Sequence, residues 1–366
     1  MVYFICSYLY AKCNGGDVMA YNFQKQIDFL LEHACPSIKY LLHRDMLGTA
    51  VDEPFMIALQ NEILAQANTQ KHLSAQHPDG WFGHELHGID GMDCHIGGLL
   101  NLGVEASHPA IQKAVSALLT PEIASTHKNG FRGGAALDAE GRGGDRAIVA
   151  NILAMSKASE DIPVFAEQLA LAFEHLSAVL QYDSIDDFSI RGKNERYYKP
   201  KAKFPGANHI GILAATQGWR TEENMKTAKV AVKHAYEIMK DVDEYITFKK
   251  PSEFGGGFVG PFNYNWQALK PMTEEQIIGI MNSSYNFQFA FWLGTITGVP
   301  DWVQQHNDTY EALADMLDRN AIINQIPTSA LSAFKKVSGK EPNYRKKHAA
   351  ECDVTYAVLK AVWGKV

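Results

Sequence analysis

Hydrophobic residues recur three and four positions apart through most of the chain. The spacing is clearest over 107–119, 163–181, 221–241 and 301–319, where apolar residues share one face and polar residues the other. That period is the period of an amphipathic α-helix. Strict alternation of apolar and polar residues, which marks a half-buried strand, is almost missing from the sequence. The pattern therefore predicts an all-α protein.

A second kind of helix alternates with the amphipathic kind and is shorter and richer in small and apolar residues. We place these helices at 36–47, 92–102, 144–156, 206–216, 283–298 and 346–363, and their amphipathic partners at 22–32, 55–73, 107–119, 163–181, 221–241 and 301–319. A helix that is apolar on most sides is buried, whereas one with a polar stripe faces solvent. Six hairpins of this kind predict an (α/α)6 toroid of six inner and six outer helices. An irregular helical solenoid is the alternative.

Local signals support several of these helix boundaries. Pro109 and Pro163 suit the first turn of a helix, where the missing N–H is not needed. Thr221 precedes two glutamates and is a plausible N-cap for the helix that follows. Gly48 and Gly103 are plausible C-terminal stops. The boundaries therefore rest on cap chemistry as well as on periodicity.

The 366 residues are predicted to form one toroid domain over 19–366. Residues 1–18 are aromatic and lack the basic start of a signal peptide, and Met19 precedes a more ordinary beginning. We interpret 1–18 as a loose tail or a mis-assigned start, with a degenerate secretion signal as the alternative.

Charge and cysteine content narrow the classes of partner. A formal net charge of −7 argues against a nucleic-acid binder. No apolar run is long enough for a membrane helix. The five cysteines include no CxxC pair, which disfavours a disulfide framework and favours a reducing compartment. We therefore expect a cytoplasmic protein with a small-molecule ligand in its central cavity. The sequence gives no oligomeric state and indicates no cofactor.

The segment QHPDGWFG at 76–83 resembles the Q-x-x-D-G-x-W repeat of terpenoid cyclases and protein prenyltransferases, with the tryptophan one place early. KYLLHRDMLG at 39–48 and KFPGANHIGILA at 203–214 resemble segments of bacterial squalene-cyclase-like or prenyltransferase-like proteins. The resemblance implies an (α/α)6 toroid. Neither the D-x-D-D motif of the cyclases nor the D-x-C pair of the prenyltransferases occurs here, so neither activity transfers residue by residue.

Parallel inner helices would gather their N-termini, with free N–H groups and partial positive charge, at one mouth of the ring. We predict Asp93, Asp145 and His209 there as catalytic residues. Ligand-binding residues are predicted at His95, Arg146, Asn208, Tyr285, Asn286, Phe258 and Trp266. Helix capping is the alternative role for the polar residues, and core filling is the alternative for the aromatic ones.

Three further features bear on chemistry. The histidines and aspartates of 84–95 could suit a divalent metal, but no spacing among them is diagnostic, and we predict a metal-free protein. The segment 253–266 interleaves glycines with aromatic residues and is predicted to lie near the mouth as a binding loop. A cysteine nucleophile stays possible at Cys94 or Cys352, near predicted helix starts.

Three functions follow from a toroid of this kind. The first is an enzyme acting on an isoprenoid or another amphiphilic small molecule. The second is a carbohydrate-active hydrolase or lyase, and the third is a ligand-binding toroid without catalysis. Helix N-termini favour an anionic head group. The aromatic residues of 285–292 would supply an apolar surface in the cavity, so we rank the isoprenoid class first.

Overall fold

The computed structural model describes residues 9–14, 17–131, 133–192, 196–239, 241–242, 246–247, 296, 314–319, 322–323, 331, 335 and 339–363. This part of the chain is mostly helical, which confirms the all-α prediction. The loop 253–266 and the residues Phe258, Trp266, Tyr285 and Asn286 lie outside it.

The α-helices follow the predicted order. They are α1 (Gln24–His33), α2 (Pro36–Asp45), α3 (Pro54–Ala65), α4 (Ala67–Leu73), α5 (Met92–Asn101), α6 (Pro109–Leu119), α7 (Pro121–Ala124), α8 (Gly134–Ala139), α9 (Asp145–Met155), α10 (Pro163–Ala178), α11 (Ile185–Phe188), α12 (Ala207–Ala215), α13 (Glu222–Met239) and α14 (Ala349–Val362). A 3₁₀ turn at Val179–Gln181 extends α10.

The strands are short. β1 (Leu9–Asn14) and β2 (Asp17–Asn22) form an antiparallel hairpin. In a second sheet, β4 (Arg196–Tyr198) pairs antiparallel with β3 (Ser189–Arg191) and parallel with β5 (Ile246–Thr247). The interpretation of 1–18 as a loose tail or a mis-assigned start stays a prediction.

Two helices, α12 and α13, differ in burial as their sequences predict. Six consecutive residues of α12, from His209 to Ala214, are buried, so this helix is enclosed on all sides. In α13 the buried residues form one stripe that includes Ala228, Val232 and Met239. The contrast does not hold throughout, because α5, predicted to be an inner helix, also buries a single stripe from Met92 to Leu99.

The predicted cap chemistry is also present. Pro109 and Pro163 begin their helices, and the N–H of Asn224 donates to Thr221 Oγ1 at 3.1 Å. One predicted helix, 55–73, is instead broken at Gln66, whose backbone is extended. The Gln66 side chain accepts a hydrogen bond from Ser37 Oγ at 3.2 Å, so a contact with α2 accompanies a break that the local sequence does not signal.

Among the described helices that are predicted to be inner, two groups have starts that lie at one end. α9 contacts both α5 and α12, and their N-terminal residues lie at the same end. α2 and α14 are also parallel, because Cys35 N–H at the start of α2 donates to Glu341 beside the start of α14. At the other end of this pair, Lys360 Nζ lies 3.6 Å from Asp45 Oδ2.

The first and last helices of the chain meet. α14 packs against α1 and α2, and one buried cluster joins Leu30, Ile38 and Leu42 to Leu317, Tyr356 and Leu359. This contact is what a closed ring requires. Most of the inner helix at 283–298 and of the outer helix at 301–319 lies outside the described residues, so six inner and six outer helices stay a prediction.

The segment 76–83 has a structural role. Gln76 Nε2 donates to the carbonyls of Gly80 at 3.0 Å and of Ala110 at 2.7 Å. Asp79 accepts from Trp81 N–H at 3.0 Å and pairs with His127, whose ring stacks on the buried Trp81. The segment therefore fastens the connector before α5 to the start of α6.

In the described part of the chain, no helix combines the length and the hydrophobicity needed to cross a membrane.

Replacing Gly80 tests this fastening. Gly80 has a φ of +103°, and a Cβ there would lie 2.7 Å from the Lys113 carbonyl oxygen. We expect Gly80→Ala to lower the free energy of unfolding by roughly 2 kcal/mol or more, since strain and a backbone clash add. Chemical denaturation measures the loss.

Gly48→Ala is the matched control. Gly48 has a φ of +64° with open space around it, so only backbone strain of about 1 kcal/mol is expected. Equal losses in the two variants would contradict a clash at Gly80 and with it the tight contact to α6.

Candidate active site

A histidine and an aspartate pair at the start of α5. His87 Nδ1 lies 2.5 Å from Asp93 Oδ2. A carboxylate only accepts hydrogen bonds, so Nδ1 carries the proton and Nε2 is left for another partner. The hydrogen bond that His87 donates to Asp93 raises the pKa of His87 above its ordinary value, against the opposing effect of partial burial. The His87 side chain is 43% exposed and so remains accessible.

A second carboxylate, Asp145 at the start of α9, lies within electrostatic range of the same histidine. Asp145 Oδ1 accepts from Phe131 N–H at 2.8 Å, and the Phe131 ring lies edge-on to the His87 ring at 5.5 Å. Asp145 also acts on His87 electrostatically, each stabilising the charged form of the other. The structure thus brings together Asp93 and Asp145, two of the three predicted catalytic residues, through His87.

The backbone around Asp145 approaches it closely. A Cβ at Gly134 would lie 1.9 Å from Asp145 Oδ1, so a larger residue there would displace the Asp145 carboxylate. The resulting burial raises the pKa of the Asp145 carboxyl, and the nearby Asp138 adds to that rise. Phe131 N–H opposes it. Asp145 is therefore a stronger base than an ordinary aspartate.

Carboxylates dominate the surroundings of His87. Asp93 accepts from Cys94 N–H at 2.8 Å, and Asp138 accepts from Gly144 N–H at 2.6 Å and from Arg146 N–H at 3.1 Å. Glu85 adds another negative charge and pairs with Lys128. Side chains of the protein therefore already occupy N–H groups that we expected to hold an anionic ligand.

His95 belongs to a separate chain of hydrogen bonds. Asp90 accepts from His84 and, at 3.0 Å, from His95 Nε2, while His95 Nδ1 lies 3.2 Å from His72 Nδ1 on α4. Two histidine donors lower the pKa of Asp90 to about 2, and burial lowers the pKa of His72 to about 4. His95 is buried and stacks on Phe82, so it faces the outer layer.

The third predicted catalytic residue, His209, lies away from solvent. Its ring is 3% exposed and packs 4.5 Å from the ring of His175 on α10. Nδ1 accepts from Gly206 N–H at 3.2 Å, and Nε2 lies against Gly143 without a hydrogen-bond partner in the described residues. Burial lowers the pKa of His209 well below its ordinary value. No hydrogen bond or ring contact among the described residues links His209 to His87, so a catalytic role for His209 stays a prediction.

Two predicted ligand-binding residues also lie apart from His87. The Arg146 guanidinium pairs with Glu167 on the outer helix α10, and its side chain is about half exposed. Asn208 is half-buried in the first turn of α12. Neither residue contacts the pair formed by His87 and Asp93 in the hydrogen bonds of the described chain.

The two cysteines considered as nucleophiles are poorly suited to that role. Burial and the neighbouring Asp93 raise the pKa of Cys94 to about 11. Burial with Glu341 and Asp353 nearby raises the pKa of Cys352 to about 12. Both thiols are protonated near neutral pH, and the thiolate is the reactive form.

His87 is the residue that sequence reasoning did not select. A spacing of six residues relates His87 to Asp93 and also His84 to Asp90. This repeated spacing spans the turn before α5 and was the available signal. Without coordinates, nothing in it distinguishes the accessible pair from the pair tied to His95.

Removing the acceptor tests the electrostatics of the site. We expect Asp93→Asn to lower the pKa of His87 toward or below 6.5, the ordinary histidine value. A histidine whose pKa is raised by folding stabilises the fold fully below its unfolded pKa, and that stability is lost as pH rises through the raised pKa. The variant should therefore lose more stability at mildly acidic than at alkaline pH.

NMR titration of the His87 ring and denaturation at two pH values measure both effects. Asp79→Asn is the control, because it removes the partner of His127 and leaves His87 paired. An unchanged His87 pKa in Asp93→Asn would rule out the hydrogen bond as the cause of the shift.

A metal is not expected at this site. Among the described residues, no group of three or more His, Cys, Asp or Glu side chains could hold a metal ion. Dialysis against a chelator should leave the thermal midpoint unchanged, and elemental analysis should find no stoichiometric zinc, iron or manganese. A chelator-induced fall in the midpoint would overturn this expectation.

Comparison of the chain with protein-family models, with curated proteins and with solved structures finds no match in any of the three.

Proposed function

We propose that this chain is an acid–base enzyme whose site lies at the starts of α5 and α9. The observation that carries the proposal is the convergence of Asp93 and Asp145 on one accessible histidine, His87. Two groups with shifted pKa values beside each other are the usual basis for assigning an acid and a base.

The directions of the shifts assign the roles. The raised pKa keeps His87 protonated further toward neutral pH, so His87 is the general acid, donating from Nε2. Asp145 remains the conjugate base of a weakened acid and is the general base. Asp93 is a positioning residue, because it fixes the tautomer and orientation of His87 without needing to touch a substrate.

The acidic surroundings favour an uncharged substrate. Glu85, Asp93 and Asp145 all lie within electrostatic reach of His87, and a diphosphate or a carboxylate would be repelled by them. Of the three candidate functions, a carbohydrate-active enzyme therefore now stands ahead of an isoprenoid enzyme. The aromatic floor proposed for the isoprenoid lies outside the described residues.

The reaction that fits best is hydrolysis of a neutral glycoside. Asp145 accepts a proton from water as the water oxygen bonds to the anomeric carbon. The glycosidic C–O bond breaks, and the leaving oxygen takes the proton of His87. Most glycosidases use two carboxyl groups for these roles, so a histidine acid is a departure from their pattern.

A panel of matched substrates tests the class. Neutral aryl glycosides, the corresponding aryl uronides and prenyl diphosphates are each incubated with the full chain, and release of the aryl alcohol or of diphosphate is measured. We expect turnover of a neutral glycoside only. Asp145→Asn and His87→Gln should each lower kcat/KM by about a hundredfold or more.

Glu174→Gln is the control variant, since Glu174 pairs with Lys203 on the outer surface. Turnover of a prenyl diphosphate would contradict the proposal and support an enzyme that acts on isoprenoids. Binding of a sugar without turnover, unchanged in His87→Gln, would favour a ligand-binding toroid.

The pH dependence gives a separate check. An ionised Asp145 and a protonated His87 predict a bell-shaped profile of kcat/KM. Its acid limb should lie above the ordinary aspartate pKa of 3.8, and its alkaline limb above the ordinary histidine pKa of 6.5. Asp93→Asn should move only the alkaline limb, and it should move it downward. A shift of the acid limb instead would refute the assigned roles.

A further inference from the structure

A cavity of about 410 Å³ lies where the two ends of the chain meet. Its wall combines the start of α2, the end of α3 and the segment 341–347 that precedes α14. The volume lies within the range of small-molecule sites. The cavity does not include His87 or Asp145, so it is independent of the proposed active site.

Glu341 supplies a buried acceptor in this wall. Its side chain is 6% exposed, and Oε1 accepts from Cys35 N–H at 2.6 Å. The Cys35 thiol also donates to the Glu341 carboxylate. An ionised carboxylate has about four acceptor positions, so two donors from Cys35 leave part of the capacity of Glu341 for a ligand.

The neighbouring buried carboxylate shows the contrast. Asp353 accepts from Lys340 N–H, from Glu341 N–H and, at 2.5 Å, from Tyr344 Oη. It does not line the cavity. The acceptor positions of Asp353 are therefore used within the fold, whereas Glu341 lines a cavity and can accept from a ligand there.

Cationic groups stand on the same wall. Lys346 and Lys347 line the cavity and are exposed. Burial raises the pKa of the Glu341 carboxyl, and the positive charge of Lys346 partly opposes that rise. Ala34, Ala65 and Pro342 supply apolar surface between the charged groups. The buried carboxylate of Glu341, the exposed carboxylate of Glu62, two ammonium groups and apolar surface thus line one space.

We propose that this cavity binds a small zwitterion of the α-amino-acid type. The ligand ammonium donates to Glu341, and the ligand carboxylate pairs with Lys346 and Lys347. Its side chain lies against the alanine and proline surface. A simple amine or a simple carboxylate satisfies only one half of this wall, so the zwitterion is the preferred class.

Ligand binding at this place stabilises the fold. The cavity lies between the helices α1 to α3 and the segment 341–347, and a bound molecule bridges them. A ligand that binds only the folded chain raises the thermal midpoint by mass action. The midpoint is therefore a readout that needs no knowledge of the reaction at His87.

Thermal unfolding and calorimetric titration of the full chain test the proposal. The probes are the common L-amino acids, one at a time at millimolar concentration. Each is compared with the amine that lacks its carboxylate and with its N-acetyl derivative. We expect at least one amino acid to raise the midpoint and to release heat, with its two derivatives binding about tenfold more weakly or worse.

Variants separate the two halves of the site. Glu341→Gln keeps an acceptor for Cys35 N–H and should weaken binding of the amino acid by about tenfold or more. The double variant Lys346→Met and Lys347→Met should weaken the amino acid but not the amine. Glu223→Gln and Lys226→Met, on the exposed face of α13, are the matched controls and should change nothing.

The outcomes decide the proposal. No midpoint shift with any amino acid overturns it, as does equal binding of the amino acid and its amine. Binding that survives Glu341→Gln places the ligand elsewhere and also overturns it. None of these results bears on His87, so the proposed hydrolysis stands or falls separately.

Discussion

The buried carboxylate of Asp353 orders the segment through which the last helix, α14, contacts the start of α2. A carboxylate away from water is costly unless donors surround it, and Asp353 is 1% exposed. Lys340 N–H, Glu341 N–H and Tyr344 Oη satisfy it. These bonds fix the segment before α14, which lets Glu341 reach Cys35 N–H at the start of α2. These hydrogen bonds and the buried apolar cluster that includes Leu30 and Tyr356 join the first and last helices.

The adjacent starts of α5 and α9 then determine where acidic side chains come together. Each helix start leaves N–H groups without intrahelical partners, and short acidic side chains are a common means of satisfying them. At α5 and α9 these acids are Asp93 and Asp138. Because the two starts lie side by side, acids near them meet around His87. Helix capping and the proposed role in orienting His87 are therefore compatible, since Asp93 accepts both from Cys94 N–H and from the histidine.

The same arrangement limits the substrates that fit. Helix N-termini attract anions only while their N–H groups are free. Asp93 and Asp138 already accept from N–H groups at these two starts, so those groups are not free for an anionic ligand. This is the reason for proposing an uncharged substrate. The expectation of a ligand with an acidic head group considered only the backbone N–H groups of the helix starts. It left out the aspartate side chains that already accept from those groups.

Local sequence determined the helices and most of their ends. Pro109, Pro163 and Thr221 act through neighbours within one turn, and the contrast between α12 and α13 is already present in their composition. The same local sequence identified Asp93 and Asp145 as acids at helix starts. It did not signal the break at Gln66. At that break the Gln66 side chain accepts a hydrogen bond from Ser37, which lies 29 residues earlier in the chain.

Only the tertiary structure decided which way the buried polar residues face. His209 and His95 sit on helices that are apolar on most sides, and such a helix has no polar stripe from which its rotation can be read. Packing against α10 and α4 turned both histidines toward the outer layer. His87 lies in the loop before α5, and its partners became visible only when α5 and α9 were brought together. Periodicity acts over a few residues, whereas the rotation of a buried helix depends on neighbours far along the chain.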